Sequence, residues 1–323
     1  MTTQPSKPPS NILVIKLGAL GDFIQALGPM AAIRAHHPKA RITLLTTPPF
    51  EAFALMTGYF NEIWIDSKPR WFEIGAWIAL KKKLNAARFE RVYDLQNNDR
   101  TQLYFKLFSP KPEWVGTAAG SFHQNTSPSR TTGHAFDGHV QTLGLAGITD
   151  IRIDTLEWMQ ANISQFPLRR PYVLLVPGSA PERLIKRWPV QNYARIAKIL
   201  NKWGYQTVII GGHAEQDLSE EILKAVPDAL DLTAKTSLAQ IAVLARGAAA
   251  AIGNDTGPMH LIAATGCPCL ALFSNQSDPI KHAPKGDHVL VLRSENLSSL
   301  KPEKVLQLFK PREEPPRPSA SVH

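Results

Sequence analysis

This chain has few cysteines, no amino-terminal apolar segment and no unbroken apolar run that would cross a membrane. Cys267 and Cys269 are the only cysteines among 323 residues, which excludes a disulfide framework and fits a reducing cytoplasm. Residues 1–10 contain three prolines and one lysine, so they predict a flexible tail and not a signal peptide. The long uncharged stretch 256–277 is interrupted by two prolines and a glycine, so no spanning helix is predicted.

Motifs for several common ligands are also missing. The turn at residues 17–22, L-G-A-L-G-D, lacks the glycine spacing of a dinucleotide site, and Thr46 and Thr47 stand where an acidic residue would follow the second strand. No acidic D-x-D pair lies near the predicted phosphate site, and Cys-Pro-Cys is interpreted as core packing and not as metal ligands. The sequence therefore predicts no cofactor and no metal.

The charge of the chain is strongly positive. Its formal net charge is +9 at pH 7, which indicates an anionic partner, and no recognition motif accompanies the charge to suggest nucleic acid. From Lys68 to Lys111, ten basic residues outnumber the acidic ones, and tryptophans are interleaved with them. We predict a peripheral membrane contact that includes Lys81, Lys82 and Lys83. The alternative is an amphipathic helix packed on a sheet, with a solvated basic face.

Alternating strand and helix patterns predict an α/β fold. Short apolar strands are predicted at 11–16, 41–45, 62–65 and 91–95, with helical stretches between them, and the pattern restarts with strands at 172–176, 206–210, 248–252 and 268–273. This alternation predicts two Rossmann-like, doubly wound domains that face each other across a cleft. The predicted boundaries are 1–10 for a tail, 11–165 and 166–310 for the domains, and 311–323 for a disordered tail rich in proline and charge.

The segment Ile252–His260, I-G-N-D-T-G-P-M-H, is the most informative in the chain. A predicted strand ends here and a short helix begins, which is where α/β folds bind ligands and where free backbone N–H groups favour phosphate. Asp255, Thr256, Gly257 and His260 are therefore candidate ligand-binding residues. The alternative is that Asp255 or Thr256 only caps the helix.

Two further turns of the second half have the same design. Pro177-Gly178-Ser179 follows a strand, and the adjacent cations Lys186 and Arg187 precede a helix, the wrong end of a helix dipole for positive charge. We interpret Ser179 and Lys186 as parts of a diphosphate clamp. In G-G-H-A-E, residues 211–215, Glu215 either accepts hydrogen bonds from a ribose or an adenine or caps the next helix.

Together these segments resemble the ADP-heptose:lipopolysaccharide heptosyltransferases, which have the glycosyltransferase-B fold. The resemblance covers most of residues 11–295. Six segments in the family's order carry it: L-G-A-L-G-D at 17–22, Y-D-L-Q at 93–96 with Arg100, P-G-S with K-R-W-P, G-G-H-A-E, N-D-T-G-P-M-H, and S-D-P at 277–279.

The resemblance implies roles for individual residues. Asp22 corresponds to the family's proposed general base, although on local grounds it could equally be a helix N-cap. Ser179 and Lys186 correspond to contacts of the donor's phosphates, Glu215 to the nucleoside contact, and the turn at 255–260 to the site of the diphosphate sugar. Gln96 and Arg100 are interpreted as lying on the acceptor side. Residues 117–133 have no counterpart in the family.

The expected reaction is a metal-independent, inverting glycosyl transfer. An ADP-sugar donor and an anionic lipid-linked saccharide acceptor are the expected partners, in the cytoplasm at the periphery of the inner membrane. A carboxylate within hydrogen-bond reach of the attacking hydroxyl can take its proton, and the leaving diphosphate needs preorganised donors. The alternatives are a transferase of another nucleotide-activated sugar and a catalytically silent sugar-nucleotide-binding protein.

Overall fold

The chain divides into two compact units that meet in sequence between Asp154 and Thr155. The computed structural model describes residues 10–179 and 184–312. Most of the two predicted tails, residues 1–9 and 313–323, lies outside the described residues. Arg312, which the sequence assigned to a disordered tail, is instead held in place, because its guanidinium donates hydrogen bonds to the carbonyl oxygens of Arg246 (2.7 Å) and Gly266 (2.6 Å).

The first unit contains a parallel sheet. Within the described residues its strands are β1 (Asn11–Ile15), β2 (Arg41–Thr46), β3 (Glu62–Ile65), β4 (Arg91–Asp94), β5 (Glu113–Gly116) and β6 (His123–Gln124). They lie in the order β3-β2-β1-β4-β5-β6, and every neighbouring pair is parallel. The helices are α1 (Leu20–His36), α2 (Glu51–Met56), α3 (Ile74–Ala86), α4 (Asp99–Leu107), α5 (Ser129–Thr132) and α6 (Ala135–Gly144).

The second unit repeats this arrangement. Its described strands are β7 (Tyr172–Val176), β8 (Gln206–Ile209), β9 (Leu230–Asp231), β10 (Ala250–Asn254), β11 (Cys269–Phe273) and β12 (Val289–Arg293). The order is β12-β11-β10-β7-β8-β9, again all parallel. The helices are α7 (Val190–Lys202), α8 (Gln216–Ala225), α9 (Leu238–Gly247), α10 (Gly257–Ala264), α11 (Pro279–His282) and α12 (Pro302–Gln307).

Both sheets therefore have the same doubly wound strand order, and the prediction of two Rossmann-like α/β units is confirmed. In each sheet the order reverses beside the first strand, between β1 and β4 and between β7 and β10. Ligands of doubly wound folds bind outside the carboxyl ends of the strands at such a switch point. The L-G-A-L-G-D turn follows β1, and the P-G-S and N-D-T-G turns follow β7 and β10.

The central strands are apolar because helices cover both faces of each sheet. In β1 the residues Ile12–Ile15 are fully buried, and all of β7 and β10 is buried. One core cluster of the first unit joins β1 to Leu80 and Leu84 of α3, while the core of the second joins β7 to α7. No helix among the described residues is long and apolar enough to span a bilayer.

The boundary between the units lies before the predicted one at residues 165 and 166. The segment that follows Thr155 packs on the second unit, where the guanidinium of Arg246 donates to the carbonyl oxygens of Leu156 and Met159. Both of these residues are buried. These contacts join residues far apart in sequence, so the local pattern of residues 155–165 does not reveal them.

Candidate active site

Asp255 lies at the switch point of the second unit, directly after β10. Its carboxylate accepts hydrogen bonds from Nζ of Lys186 (2.6 Å) and Oγ of Ser277 (2.5 Å). Thr256, with an extended backbone, is the N-cap of α10, but its side chain makes no capping hydrogen bond. The alternative that Asp255 or Thr256 is only a side-chain cap is therefore not what the structure has. Gly257 and the buried His260 belong to α10 itself.

Lys186 ends a 3-10 turn, Leu184–Lys186, and is buried. Its Nζ also lies 3.0 Å from Oγ of Ser277. The side chains of Lys186 and Asp255 are only 10% and 8% exposed, so two opposite charges lie together with little water around them. A buried pair of this kind is costly to disrupt by removing one partner.

Arg187 forms the second charged link of this switch point. It donates to Oγ and to the carbonyl oxygen of Ser179, both at 3.1 Å, and lies 3.4 Å from Oε1 of Glu215. The other carboxylate oxygen of Glu215 accepts from the backbone N–H of Gly212 at 2.9 Å. Glu215 thus closes its own turn, as the capping alternative expected, and also pairs with a cation.

Two glycines let the Glu215 side chain reach this position. A Cβ atom at Gly178 would lie 2.6 Å from Cγ of Glu215, and one at Gly211 would lie 2.8 Å from its Cβ. Any larger residue would push the carboxylate out of the turn. The glycines of P-G-S and G-G-H-A-E are therefore explained by close approach of a side chain.

Asn254 connects the turn after β7 to the segment before α7 through buried hydrogen bonds. The residue is fully buried at the end of β10. Its amide donates to the carbonyl oxygens of Pro177 (2.7 Å) and Gly178 (3.2 Å), and its oxygen accepts from the Trp188 backbone N–H and the Tyr193 hydroxyl, both at 3.0 Å. Asn254, Arg187 and Ser277 lie in segments that the sequence analysis singled out, but their contacts were not predicted because the partners are distant along the chain.

Asp22 lies at the switch point of the first unit. It is the third residue of α1, whose N-cap is Ala19, so the alternative that Asp22 is the N-cap is wrong. The side chain is half-buried. Among the described residues no hydrogen bond or ion pair joins its carboxylate to another side chain. Gly18, in the turn before it, has φ +119°, a backbone conformation that favours glycine.

Two buried charged residues lie close behind this turn. Lys16 follows β1, is 4% exposed and donates from Nζ to the carbonyl oxygen of Leu95 at 3.2 Å. Burial lowers the pKa of Lys16, while the carboxylates of Asp22 and Asp94 act in the opposite direction. Burial also raises the pKa of Asp94 to about 6, against the hydrogen bonds from the N–H groups of Asn97 and Gln96. Its Oδ2 has no hydrogen-bond partner among the described residues.

A cavity of about 560 Å³ opens beside the same turn. It is lined by Leu17, Gly18, Ala19, Thr47, Phe50, Lys68, Gln96, Asn98 and Arg100. Gln96 is fixed because its Oε1 accepts from the backbone N–H of Leu17 at 2.8 Å, and Arg100 donates to the carbonyl oxygen of Pro69 at 3.3 Å. The structure thus brings together Gln96 and Arg100, both predicted to lie on the acceptor side, with Lys68 as an additional cation.

The predicted membrane-side lysines lie elsewhere in the first unit. Lys81, Lys82 and Lys83 are all exposed on α3. Nζ of Lys83 lies 4.3 Å from the centroid of the Trp64 ring, a cation–π contact that ties this lysine to the sheet. Lys81 and Lys82 are the two lysines of this group that make no such contact within the described ranges.

Among the residues that the structure describes, both switch points combine carboxylates with cations, and a cavity opens at the first of them. Among the described residues no group of three or more His, Cys, Asp or Glu side chains is arranged to hold a metal ion. Cys267 and Cys269 are buried and are not joined by a disulfide. Within the described part of the chain, Lys186 pairs with Asp255 and Arg187 pairs with Glu215.

The sequence of this chain matches a known protein family, and its structure matches solved structures of the same fold. The sequence profile of glycosyltransferase family 9 (heptosyltransferase) matches residues 147–311. The chain is similar to lipopolysaccharide heptosyltransferase 2 of Salmonella typhimurium, with 27% identity over 304 residues, covering 84% of this chain and 86% of that protein. It is 33% identical to lipooligosaccharide heptosyltransferase 2 of Haemophilus influenzae over 129 residues, covering 38% and 37% of the two chains.

Solved structures have the same fold. The structure of ADP-heptose lps heptosyltransferase II from E. coli matches with a TM-score of 0.72 and 23% identity, covering 92% of this chain and 96% of that one. A glycosyl transferase family 9 structure from Veillonella parvula matches with a TM-score of 0.76 and 23% identity, covering 92% and 95%. The fold class expected from the family resemblance is confirmed.

Proposed function

Because the chain belongs to glycosyltransferase family 9, the heptosyltransferases, we propose that it moves a heptose from ADP-heptose to a lipopolysaccharide core acceptor that bears Kdo or heptose. The proposal is carried by the switch point of the second unit, where Lys186 pairs with Asp255 just before α10 and Arg187 contacts Ser179. Relatives named as lipopolysaccharide heptosyltransferases support the donor and the acceptor class.

The donor diphosphate binds Lys186, Ser179 and the first turn of α10. Free N–H groups at Thr256 and Gly257 add a preference for negative charge at the helix start. Asp255 holds Lys186 in place before the donor arrives, and the buried His260 belongs to the same turn. Glu215, fixed by Gly212 and Arg187, offers acceptor oxygens to the hydroxyls of the nucleoside.

Asp22 acts as the general base. Its carboxylate is half-buried and unpaired among the described residues, so it is available to take the proton of the attacking hydroxyl. The oxygen of that hydroxyl forms a bond to the anomeric carbon as the bond to the diphosphate oxygen breaks. One displacement from the side opposite to the leaving group inverts the anomeric configuration.

The reaction needs no metal. Negative charge that develops on the leaving diphosphate is stabilised by preorganised donors, and Lys186 and Arg187 supply two positive charges at the switch point of the second unit. Since carboxylates already hold both cations in place, little reorganisation precedes the chemical step.

The acceptor binds beside Asp22, in the cavity of about 560 Å³. Arg100 and Lys68 line this cavity and suit the carboxylate or phosphate groups of a lipopolysaccharide core. Gln96 fixes one wall through its bond to Leu17. The lipid-linked acceptor places the enzyme in the cytoplasm, at the periphery of the inner membrane.

Transfer with purified components tests this function. The wild-type chain is incubated with ADP-heptose and, in parallel, with other nucleotide sugars, and the acceptor's mass and anomeric configuration are measured. A heptosylated acceptor with inverted configuration is the expected product. Transfer only from another nucleotide sugar would favour the second candidate function, and donor binding without any product would favour a silent binding protein.

A further inference from the structure

The first unit carries an apolar surface that no part of the described chain covers. We define the Trp71 surface by six side chains in the turn before α3 and in the first nine residues of this helix: Trp71, Phe72, Ile74, Ile78, Lys81 and Lys82. Trp71, Ile74 and Ile78 are 87%, 69% and 63% exposed. Isolated exposed apolar residues are common, but several within eight residues mark an interaction surface.

Helical spacing separates this surface from the core-facing side of α3. Leu80 and Leu84, four residues apart, pack into the core of the first unit. Ile74 and Ile78 are also four residues apart, so they share a different face, and Lys82 follows on the same stripe. The helix is thus apolar toward the core and, over its first two turns, also toward solvent.

The turn before α3 is ordered before any partner binds. The Glu73 carboxylate accepts from the backbone N–H of Arg70 at 2.5 Å, and Nε1 of Trp77 donates to the carbonyl oxygen of Arg70 at 2.9 Å. The rings of Trp71 and Phe72 contact each other edge to face, with centroids 5.5 Å apart. Insertion of a preformed turn does not require the chain to be ordered on binding.

The segment that carries the Trp71 surface is positively charged. Between Arg70 and Lys83 there are four basic residues and one acidic residue, and that acid, Glu73, is already bound to its own turn. Exposed tryptophan and aliphatic side chains next to lysines suit the boundary between headgroups and acyl chains of an anionic bilayer. We propose that the Trp71 surface inserts into such a lipid surface and docks the first unit on it.

A second copy of the chain fits this surface less well than a lipid does. Self-association through it would bring two positively charged surfaces together, which is repulsive. Lysine is also depleted in the centres of protein interfaces. Anionic headgroups complement the lysines, and acyl chains accept Trp71, Ile74 and Ile78, so one partner satisfies both features.

This inference deepens the proposed function. It rests on that function only for the reason why the chain would bind a lipid surface, and not for the binding itself. Lipid binding is measured without turnover, so a chain that binds vesicles but transfers no heptose would disprove the function and leave the contact intact. A chain that transfers heptose to a detergent-dispersed acceptor but does not bind vesicles would confirm the function and disprove the lipid contact.

Cosedimentation of the full chain with vesicles tests the contact. The vesicles contain either zwitterionic lipid alone or added phosphatidylglycerol, at low and at high salt. Trp71→Ala with Ile78→Ala should lower partitioning about tenfold or more at both salt levels, because lost apolar burial is not screened. Lys81→Gln with Lys82→Gln should lower it about fivefold per lysine, only at low salt and only with anionic lipid.

Trp203→Ala is the matched control, because Trp203 is 53% exposed in the second unit and should leave partitioning unchanged. Circular dichroism and the melting temperature show that each variant is folded. The inference is overturned if wild-type chain does not bind anionic vesicles, if the Trp71 and Ile78 variant binds like wild type, or if these substitutions abolish a dimer of the wild-type chain instead.

Discussion

At the switch point of the second unit, the Asp255 carboxylate lies 2.6 Å from Nζ of Lys186 and Glu215 lies 3.4 Å from Arg187. At the switch point of the first unit, with the same strand order, Asp22 has no such partner among the described residues. The same fold thus presents hydrogen-bonded charge pairs in one unit and, in the other, a carboxylate that makes no hydrogen bond or ion pair among the described residues and lies near the buried charge of Lys16. Paired cations suit the binding of a diphosphate, whereas an unpaired carboxylate suits proton transfer.

The largest expected effect comes from Asp22→Asn. Asparagine has nearly the same size but cannot take a proton, so turnover should fall about 100- to 10,000-fold, while the unfolding free energy stays within about 0.5 kcal/mol of wild type. Steady-state transfer kinetics measure this change. Asp217→Asn, the same substitution at an exposed acid in the first turn of α8, is the control. Turnover within a few-fold of wild type would remove Asp22 as the base.

The free energy of unfolding tests the pair between Lys186 and Asp255 in the second unit. Lys186→Met leaves the Asp255 carboxylate with Ser277 as its one remaining side-chain partner among the described residues, so it should cost about 3–5 kcal/mol of unfolding free energy. Asp255→Asn in the same chain should restore much of the loss, because the uncompensated charge is gone. Denaturant unfolding of the two single variants and the double variant gives the coupling. Additive losses would show that the pair is not coupled.

Asp94 gives the first unit its own dependence on pH. Burial raises the pKa of Asp94 in the folded state to about 6 from 3.8. Between these two pH values the folded state therefore keeps a proton on Asp94 that the unfolded state has lost. The stability from this group is therefore fully present below pH 4 and is lost as the pH rises through 6. At about 1.4 kcal/mol per pKa unit, the total is about 3 kcal/mol.

Asp94→Asn should abolish this part of the pH dependence. The difference in unfolding free energy between wild type and variant should change between pH 4 and pH 6 and be constant outside that range, as followed by urea unfolding at several pH values. Asp99→Asn, at an exposed position nearby, is expected to keep the wild-type profile. Parallel profiles for wild type and Asp94→Asn would mean that Asp94 titrates alike in both states.

The smallest expected effect is that of metal removal. Under the proposed function, Lys186 and Arg187 supply the positive charge at the diphosphate, so EDTA should leave the rate of transfer within about twofold of the untreated enzyme. A complete loss of activity that magnesium or manganese restores would overturn the metal-independent mechanism.

Most strands that form apolar runs were predicted from the sequence, but β5 (Glu113–Gly116) and β12 (Val289–Arg293, V-L-V-L-R) were not. β1, β7 and β11 are almost wholly buried and read as strands from sequence alone. β6 and β9 have two residues each, too few for any periodicity, and they exist only because a neighbouring strand pairs with them. For this reason β6, in the polar region after Gly116, was not predicted from the sequence.

The site was predictable as a set of residues but not as a set of contacts. Asp22 and Asp255 were singled out because polar residues follow apolar strands, and Lys186 because two adjacent cations precede a helix. Their pairing was not, since Lys186 and Asp255 are 69 residues apart in sequence. The buried support from Asn254 and the position of Asp22 inside α1, and not at its cap, also depend on tertiary structure.

The division between a donor-binding unit and a base-bearing unit is tested most directly by calorimetric titration of ADP into Asp22→Asn and Lys186→Ala, side by side with wild type. Asp22→Asn should bind ADP as wild type does, while Lys186→Ala should lose about 1.5–3 kcal/mol of binding free energy, the usual value of a hydrogen bond to a charged group. Equal losses in both variants, or an unchanged affinity in Lys186→Ala, would contradict this division.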